Sequence, residues 1–317
     1  MYFNLTILCY NFSNRETLGM KSIEFIKIMY LLALEDFTQE INKLIDILNK
    51  KFFIIPKFGV EIEFYLRDKN KELLTIERIK QFKTKLKEKG FITEEEKGLN
   101  QFEIQINYTS NTKQLLDKIH AIKSYLISVA EELNLKVLFN PKPFKNDYGS
   151  SMHFHLSLHD KSDHNIFSKE TINSNKPLND VVSGILSMLN QSLYFLCEDN
   201  LEEYDRFSPN FMSPVNVSWG GNNRTTAIRI PEGHINNRRI EFRIPSASCN
   251  SQRAIFFLLF ASTYGMEFTS NTIDRIYGNA YDDQYHLTWL HNNPSDAKRH
   301  YMLDEMYIKW VLVNNRS

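Results

Sequence analysis

Hydrophobic and polar residues alternate along several short segments of the chain, most clearly in Gly59–Leu66. Because successive side chains of a β-strand point to opposite faces, Glu61 and Glu63 share one face of this predicted strand. Two neighbouring carboxylates repel each other, so such a pair is typical of a site where a cation or strong hydrogen-bond donors neutralise the charge. The opposite face carries the apolar side chains of Val60, Ile62 and Phe64.

The same alternation returns three times, in Gln101–Ile104, Met152–Ser157 and Arg239–Ile244. In each segment the charged or polar side chains fall on one face and the apolar side chains on the other. These segments predict a sheet with an apolar back and a face of Glu, His and Arg side chains. Such a face suits phosphate and divalent metal ions.

Apolar residues at helical spacing predict helices between the strands. They cover about residues 23–49, 76–89, 115–133 and 178–196, with a further apolar helix near Ile255. The first acidic strand is expected to begin near Phe58, residues 93–98 to form a loop, residues 137–140 a short strand, and strands to dominate residues 215–244. This order predicts an α+β fold, a curved antiparallel sheet with helices on its apolar face. The chain contains no repeat or Gly/Ser linker, which favours one main domain.

Charge and composition exclude several classes of protein. Lysine plus arginine equals aspartate plus glutamate at 38 each, so no net field favours nucleic acid or an anionic membrane. The most apolar run, residues 254–261, is far shorter than the ~20 residues that span a bilayer. Cys9, Cys197 and Cys249 show no metal-ligand spacing, which is typical of a reducing compartment. We therefore expect a cytoplasmic protein without a membrane or nucleic-acid partner. Translation is expected to start at either Met1 or Met20.

Seven motifs together resemble the catalytic domain of the glutamine synthetase family. They occur in the family's order and extend over roughly residues 56 to 283; each is weak alone, and the ordered set is highly specific. The motifs are Phe58–Phe64, Gln101–Ile104, Asn140–Pro143, Gly149–Leu158, Asn223–Pro231, Arg239–Arg243 and Gly278–Asp283.

The resemblance implies an ATP-dependent ligase that joins glutamate to ammonia or an amine through γ-glutamyl phosphate. It implies a catalytic domain over residues 56–317, preceded by a helical segment over residues 1–55 in place of the family's small β-grasp domain. In the family that domain completes the active site of a neighbouring subunit. A homo-oligomer or a separately encoded N-terminal domain is therefore the expected macromolecular partner.

The family pattern also implies the site residues. Two Mg²⁺ (or Mn²⁺) ions are expected, one at Glu63, Glu95 and Glu103 and the other at Glu61, His153 and Glu241. Arg224 corresponds to the position on the transferred phosphate, and Arg206 and Arg243 to positions on the glutamate carboxylates. Gly149 offers a backbone carbonyl to the substrate. The positions that contact the nucleotide are His155, Ser157, Arg229 and Arg239.

Simpler interpretations exist for these residues. Paired strand glutamates also occur on exposed sheet faces that are neutralised by lysines, and a lone histidine is more often structural than a ligand. Glu95 lies in a run of three glutamates, so Glu94 and Glu96 are alternatives to it. The spacing of eight residues to Glu103 favours Glu95.

The chain departs from the family pattern at two site positions. Met212 stands where the family has a glutamate that binds and deprotonates ammonium, and a thioether cannot take a proton. Branches that use larger amines, such as γ-glutamylpolyamine synthetases, also lack this acid, which favours an organic amine acceptor. Tyr148 replaces an asparagine that helps hold the amino acid end of glutamate.

Three hypotheses follow from these observations. The first is an active glutamate–amine ligase. The second is a catalytically degenerate homologue that binds ATP and metal only. The third is a relative that makes a different ATP-dependent amide, as glutamate–cysteine ligases do, although the motifs at Asn223–Thr225 and Met152–His153 favour the glutamine synthetase family.

Overall fold

The computed structural model describes residues 31–268 and 273–314, with side chains described up to residue 311. The strands are β1 (Ile55–Asp68), β2 (Thr93–Glu95), β3 (Gln101–Thr109), β4 (Leu135–Leu138), β5 (Met152–His159), β6 (Trp219–Gly220), β7 (Ile228–Arg229) and β8 (Ile240–Phe242). The α-helices are α1 (Thr38–Lys51), α2 (Ile76–Glu88), α3 (Thr112–Glu132), α4 (Lys176–Cys197), α5 (Leu201–Asp205), α6 (Ser251–Phe268), α7 (Pro294–Arg299) and α8 (Leu303–Asn314). Short 3-10 turns lie at Ile166–Ser168, Pro209–Phe211, Ile235–Asn237 and Asp283–Tyr285.

The strands form one eight-stranded sheet with the order β2-β3-β1-β5-β8-β7-β6, and β4 pairs with β1 beside this path. The neighbours pair antiparallel except β6 and β7, which run parallel. The predicted α+β class with a mostly antiparallel sheet is therefore confirmed. β1 lies near the middle of the sheet, and its side chains are mostly buried.

The apolar back of the sheet is covered by helices. The Phe64 ring on β1 lies 6.3 Å from Phe82 on α2, and the Phe242 ring on β8 lies 5.5 Å from Phe257 on α6. Burying each such side chain contributes roughly 1.5–3 kcal/mol relative to leaving it exposed. This packing fixes which face each strand turns inward, and the carboxylates at alternate positions are therefore held on the opposite face.

Two glycines allow α4 and α6 to cross closely. A Cβ on Gly184 would lie 2.2 Å from the Ala261 carbonyl oxygen, and a Cβ on Gly265 would lie 2.2 Å from the Asp180 carbonyl oxygen. Real Cβ atoms do not approach backbone this closely, so the two helix backbones are in contact here. Glycine is the residue that permits such an approach.

The structure differs from the predicted boundaries near the start of the described chain. Helix α1 begins at Thr38, and residues 31–37 are not helical. Just before the helix, the buried Phe37 ring packs against Phe195 and Phe256. Residues 23–30 of that predicted helix lie outside the described residues. Strand β1 begins at Ile55 and contains Pro56, which is tolerated because only β5 pairs with β1 at that point.

Three further predictions of local structure were wrong. Residues 93–95 form a strand and not a loop, and the short strand after α3 covers Leu135–Leu138. Residues 215–244 are mostly loop and contain only short strands. In that segment Asn223 accepts hydrogen bonds from the Thr225 backbone and hydroxyl, and such local bonds compete with a strand ladder.

The chain divides into two compact units. The first comprises residues 36–301 and contains the whole sheet. The second comprises residues 1–35 and 302–317; in its described part, Asp304 on α8 accepts a hydrogen bond from the Leu31 backbone. Of the helices described, none has the length and apolarity needed to cross a bilayer.

Candidate active site

The sheet register places most of the candidate ligands beside one another. Glu63 on β1 lies opposite Glu103 on β3, and Glu61 lies opposite His153 on β5. On the other side of β5, His155 lies opposite Glu241 on β8. Antiparallel partners project from the same face of a sheet, so these side chains converge although they are far apart in sequence.

One group of three residues, the first acidic cluster, consists of Glu61, His153 and Glu241. Their ligand atoms all lie within 4.8 Å of one another. His153 Nδ1 is 3.4 Å from Glu61 Oε2 and 3.8 Å from Glu241 Oε1. Two carboxylates and one imidazole form a donor set that suits Mn²⁺ and Mg²⁺.

The second acidic cluster consists of Glu63, Glu103 and the same His153, again with ligand atoms within 4.8 Å of one another. His153 Nε2 is 3.9 Å from Glu63 Oε1. All three residues are buried, with exposures of 5–7 %. Buried carboxylates that face each other without a cation are costly, so this donor set fits a divalent ion.

Glu95 does not join either cluster. Its carboxylate is 2.8 Å from Lys83 Nζ on α2, and its side chain is 76 % exposed. On β2 it lies opposite Phe102, whereas Glu94 lies opposite Glu103, so Glu95 points to the other face of the sheet. Glu96 follows Glu94 by two residues and therefore projects to the same side. It lines the cleft beside Glu63. The geometry therefore favours Glu96, one of the alternatives raised by the run of glutamates.

The arginines around Glu241 form an ion-pair network. Arg229 NH1 and Arg243 NH1 each lie 2.6 Å from one Glu241 carboxylate oxygen. Arg229 is also held by the Asn222 side-chain oxygen at 2.6 and 2.9 Å. Glu241 is 1 % exposed, and each of its carboxylate oxygens is paired with an arginine of this network.

The predicted nucleotide-contacting residues follow one edge of the same face. His155 Nε2 is 3.0 Å from Glu61 Oε1, and Arg239 Nε donates to His155 Nδ1 at 3.1 Å. Ser157 lies further along β5, and its hydroxyl is 3.1 Å from His159 Nε2. The structure thus connects His155 and Arg239 to the first acidic cluster and places Ser157 beside His159.

A cleft encloses about 520 Å³ of empty space, including the part open to solvent. Arg206, Arg224 and Arg243 line it together with Gly149. A Cβ on Gly149 would lie 2.3 Å from Arg206 Cγ, so the absence of a side chain at this position permits the position of Arg206.

Arg206 and Arg243 each have one guanidinium nitrogen without a hydrogen-bond partner among the described residues. Arg206 donates to Ser151 Oγ at 3.1 Å and to the Ile244 carbonyl, and Arg243 donates to Glu241. The Nε atoms of both arginines are buried without a hydrogen-bond partner among the described residues. Unpaired buried donors are costly. Both arginines also line the cleft, where their positive charges favour an anionic ligand.

Burial and charge shift the pKa values of the clustered carboxyls in opposite directions. Burial alone would raise the pKa of Glu61, but hydrogen bonds and positive charge from His153 and His155 outweigh it and hold that pKa well below its usual range. Burial would likewise raise the pKa of Glu241, but the positive charges of His153 and of the adjacent arginines lower it to about 2. Both carboxyls are therefore ionised at neutral pH.

Glu63 and Glu103 behave differently from Glu61 and Glu241. Burial, followed by the charges of Glu96 and Glu103, raises the pKa of Glu63 to about 8. Burial, followed by the charge of Glu61, raises the pKa of Glu103 to about 8. In the metal-free protein these two carboxyls therefore hold protons at pH 7, and a bound cation would have to displace them.

We expect the affinity for Mn²⁺ to rise as pH increases from about 6 to about 9 and to level off above that. The sign follows from the raised pKa values, because Glu63 and Glu103, with pKa values of about 8, are only half deprotonated at that pH. Calorimetric titration in buffers of different ionisation enthalpy should show proton release at pH 7 and much less at pH 9. An affinity that is independent of pH would contradict the assignment of these two carboxyls.

Several residues without a predicted role form hydrogen bonds that hold the site in place. Gln101 Nε2 donates to the Gly149 carbonyl at 2.8 Å, and the Ser151 backbone N–H donates to Glu63 Oε2 at 2.7 Å. Tyr65 donates to the Tyr148 carbonyl at 2.8 Å. Gln101 lies two residues before Glu103 on β3, so both side chains project from the same face of the strand. This spacing was the signal in the sequence that Gln101 faces the site.

Comparison with known proteins tests the resemblance. A family model described as the glutamine synthetase catalytic domain matches residues 76–307. The chain belongs to the glutamine synthetase family. The resemblance drawn from the motifs is therefore confirmed. Relatives in the glutamine synthetase family are ligases that form carbon–nitrogen bonds and use ATP and divalent metals.

Curated glutamine synthetase family members are similar over part of their length. γ-Glutamylputrescine synthetase PuuA of Escherichia coli (strain K12) is 27% identical over 213 residues, which are 57% of this chain and 44% of that protein. The glutamine synthetase of Pyrococcus abyssi is 32% identical over 193 residues, which are 55% of this chain and 43% of that protein. The chain therefore spans less than half the length of these relatives.

Solved structures share the fold. A GmaS–ADP complex superposes with a TM-score of 0.70 at 22% identity, covering 84% of this chain and 67% of that one. GmaS without ligand gives a TM-score of 0.72 at 22% identity, covering 86% of this chain and 68% of that one. At this identity the similarity shows a glutamine synthetase-like fold.

Proposed function

We propose that this chain is an ATP-dependent glutamate–amine ligase that acts through γ-glutamyl phosphate and favours an organic amine over ammonia. The observation that carries the proposal is the convergence of two acidic clusters, which share His153, with a cleft lined by Arg206, Arg224 and Arg243. Membership of the glutamine synthetase family supports the same reaction.

The proposed glutamate site rests on Arg206 and Arg243, which both line the cleft. Arg206 is 1 % exposed and Arg243 is 6 % exposed, so a carboxylate bound between them would be shielded from water. A guanidinium presents a planar set of donors that matches carboxylate geometry. The Gly149 carbonyl lies in the same cleft and would accept a hydrogen bond from the substrate ammonium group.

Phosphoryl transfer from ATP to the glutamate γ-carboxylate requires neutralisation of several negative charges. Divalent ions at the two acidic clusters, when bound, would neutralise the phosphate oxygens and orient them. Arg224 lines the cleft and has no ion-pair partner among the described residues, so its guanidinium is available to the transferred phosphate. We assign Glu96, in place of Glu95, to the cluster of Glu63 and Glu103.

The nucleotide side of the proposed site is held by Arg229, Arg239, His155 and Ser157. Arg229 is fixed by Glu241 and Asn222, and Arg239 by His155. Fixed guanidinium groups stabilise phosphate oxygens without having to reorganise during the reaction. These residues are therefore suited to orient the β- and γ-phosphates.

The acceptor preference rests on Met212, which lines the cleft where the family pattern has an acid. Without that acid, the chain loses the negative charge that would hold ammonium, whereas a thioether provides apolar contact. This residue supports an organic amine. Three expectations remain predictions. They are a homo-oligomer or a separately encoded N-terminal domain as partner, a helical segment over residues 1–55 before a catalytic domain over residues 56–317, and a cytoplasmic location.

The proposed function predicts phosphate release that depends on ATP, glutamate, Mg²⁺ and an amine together. Omission of ATP, glutamate or Mg²⁺ should reduce release to background, because γ-glutamyl phosphate cannot form without them. Omission of the amine should also do so, because no nucleophile is then present to displace phosphate from that intermediate. Release should be measured with ammonia and a panel of amines, and the γ-glutamyl amide detected by mass spectrometry. A control without glutamate separates the ligase from simple ATP hydrolysis.

A degenerate homologue that only binds ATP and metal would give a different result. It would show thermal stabilisation by Mg²⁺–ATP but no phosphate release with any acceptor. It would also fail to phosphorylate methionine sulfoximine, an inhibitor that resembles the reacting glutamate. This pair of measurements separates the two functions in one preparation.

A further inference from the structure

We propose that the acceptor is a monoamine with an apolar substituent and not a diamine or polyamine, an inference that rests on the proposed function. It follows from an apolar wall of the cleft and from the charges beside it. The apolar wall consists of Tyr148, Phe211 and Met212, which all line the cleft that contains Glu63 and Arg224.

Contacts with neighbouring residues hold the apolar wall in place. The rings of Tyr148 and Phe211 meet edge to face, with centroids 5.6 Å apart and an interplanar angle of 71°. Met212 adopts a left-handed backbone conformation with φ 53°, and its carbonyl accepts a hydrogen bond from Arg243 at 3.4 Å. The adjacent Ser213 carbonyl accepts a hydrogen bond from Tyr281 at 2.9 Å. These contacts fix the wall beside the proposed glutamate site, where an alkyl substituent would pack against it.

The second ammonium group of a diamine would meet positive charge at the apolar wall. Lys142 Nζ lies 3.5 Å from the centroid of the Phe211 ring, so that ring already carries a cation on one face. Lys97 and Arg224 also line the cleft. A distal ammonium placed against Phe211 would therefore be repelled by lysine and would gain little from the ring.

The cleft also lacks a spare carboxylate for that second ammonium. Among the described residues that line it, the carboxylates are Glu63 and Glu96. Both belong to the proposed metal site, where their charge is used by the bound ion. The distal ammonium of a diamine needs an anionic partner of its own, and apart from these two glutamates no carboxylate lines the cleft among the described residues.

Butylamine and putrescine form a matched pair for the test, because they differ only by the terminal ammonium group. With the full chain, ATP, glutamate and Mg²⁺, we expect kcat/KM for butylamine to exceed that for putrescine by at least about tenfold. Ammonia serves as the reference acceptor. Each ratio is taken within one preparation and is therefore independent of the fraction of folded protein.

Two variants probe the charge and the wall separately. Lys142→Met should raise the putrescine rate relative to butylamine several-fold, whereas Lys145→Met, an exposed lysine of the same loop, should leave the ratio unchanged. Phe211→Ala should lower the butylamine rate relative to ammonia by about tenfold, and Phe211→Leu should restore part of it.

The outcomes separate this inference from the proposed function. A wild-type chain that prefers putrescine, or ammonia over every alkylamine, would overturn the monoamine assignment and leave the ligase intact. An unchanged ratio in Lys142→Met would also overturn it. A chain that turns over no acceptor, ammonia included, would overturn the proposed function and the monoamine assignment together.

Discussion

Replacing Glu241 with glutamine is expected to reduce kcat/KM at least about a thousandfold, since removing several kcal/mol of charge stabilisation costs a factor of ten per about 1.4 kcal/mol. Glu241 contributes to the first acidic cluster and fixes Arg229 and Arg243 through 2.6 Å contacts. The variant removes the charge but keeps the side-chain shape. Activity and Mn²⁺ affinity should be measured together, and both should fall.

Glu241→Gln also leaves the buried Arg243 and the partly buried Arg229 without their carboxylate, so a lower thermal midpoint is expected in the metal-free protein. Glu95→Gln is the matched control, because Glu95 is exposed and contacts Lys83 outside the clusters. It should retain activity within about twofold of wild type, as expected for an exposed ion pair. Full activity in Glu241→Gln, or a large loss in Glu95→Gln, would require a different ligand set.

Adding one methyl group at Gly184 should lower the free energy of unfolding by roughly 2 kcal/mol or more, after allowing for the better helix propensity of alanine. The new Cβ would lie 2.2 Å from the Ala261 carbonyl oxygen and 2.7 Å from Gly265 Cα. Since both contacts are with the backbone of α6, no side chain can move aside to relieve them. Urea denaturation of Gly184→Ala and wild type measures the difference.

Ser187→Ala provides the comparison for the glycine variant. Ser187 lies on the same helix three residues away and is exposed, so loss of its hydroxyl removes only a bond to the Gly184 carbonyl. Its effect should stay within about 0.5 kcal/mol. Equal stability of Gly184→Ala and wild type would show that α4 and α6 can separate without cost.

Local patterns in the sequence were sufficient to predict the central sheet and most helices. Alternation in Gly59–Leu66 predicted both the strand and the face that its glutamates occupy. Because Val60, Ile62 and Phe64 must be buried on one face of the sheet, the glutamates are placed on the opposite face. Residues 215–244 could not be predicted in the same way. Side-chain hydrogen bonds to the local backbone and contacts with distant segments determine their loops, and neither leaves a periodic signal.

The candidate ligands were predicted unequally well. Most were brought together as expected, because they lie on long strands whose registers are fixed by the apolar back. Glu95 was not brought into the cleft. Its prediction relied on a spacing of eight residues from Glu103, whereas the length of the turn decides which residues of a hairpin lie opposite each other. The pairing of Glu94 with Glu103 sets the parity of the whole run and turns Glu95 away from the cleft.

The position of His153 between the two acidic clusters has a consequence for how cations would load. Its Nδ1 is 3.4 Å from Glu61, and its Nε2 is 3.9 Å from Glu63. A neutral imidazole has a single lone pair and a single N–H, so the ring can coordinate on one side only and must act as a proton donor on the other. If ions bind at both clusters, the two sites would therefore be inequivalent. An ion at one cluster would select the tautomer of the shared ring, and an ion at the other would bind with one protein ligand fewer.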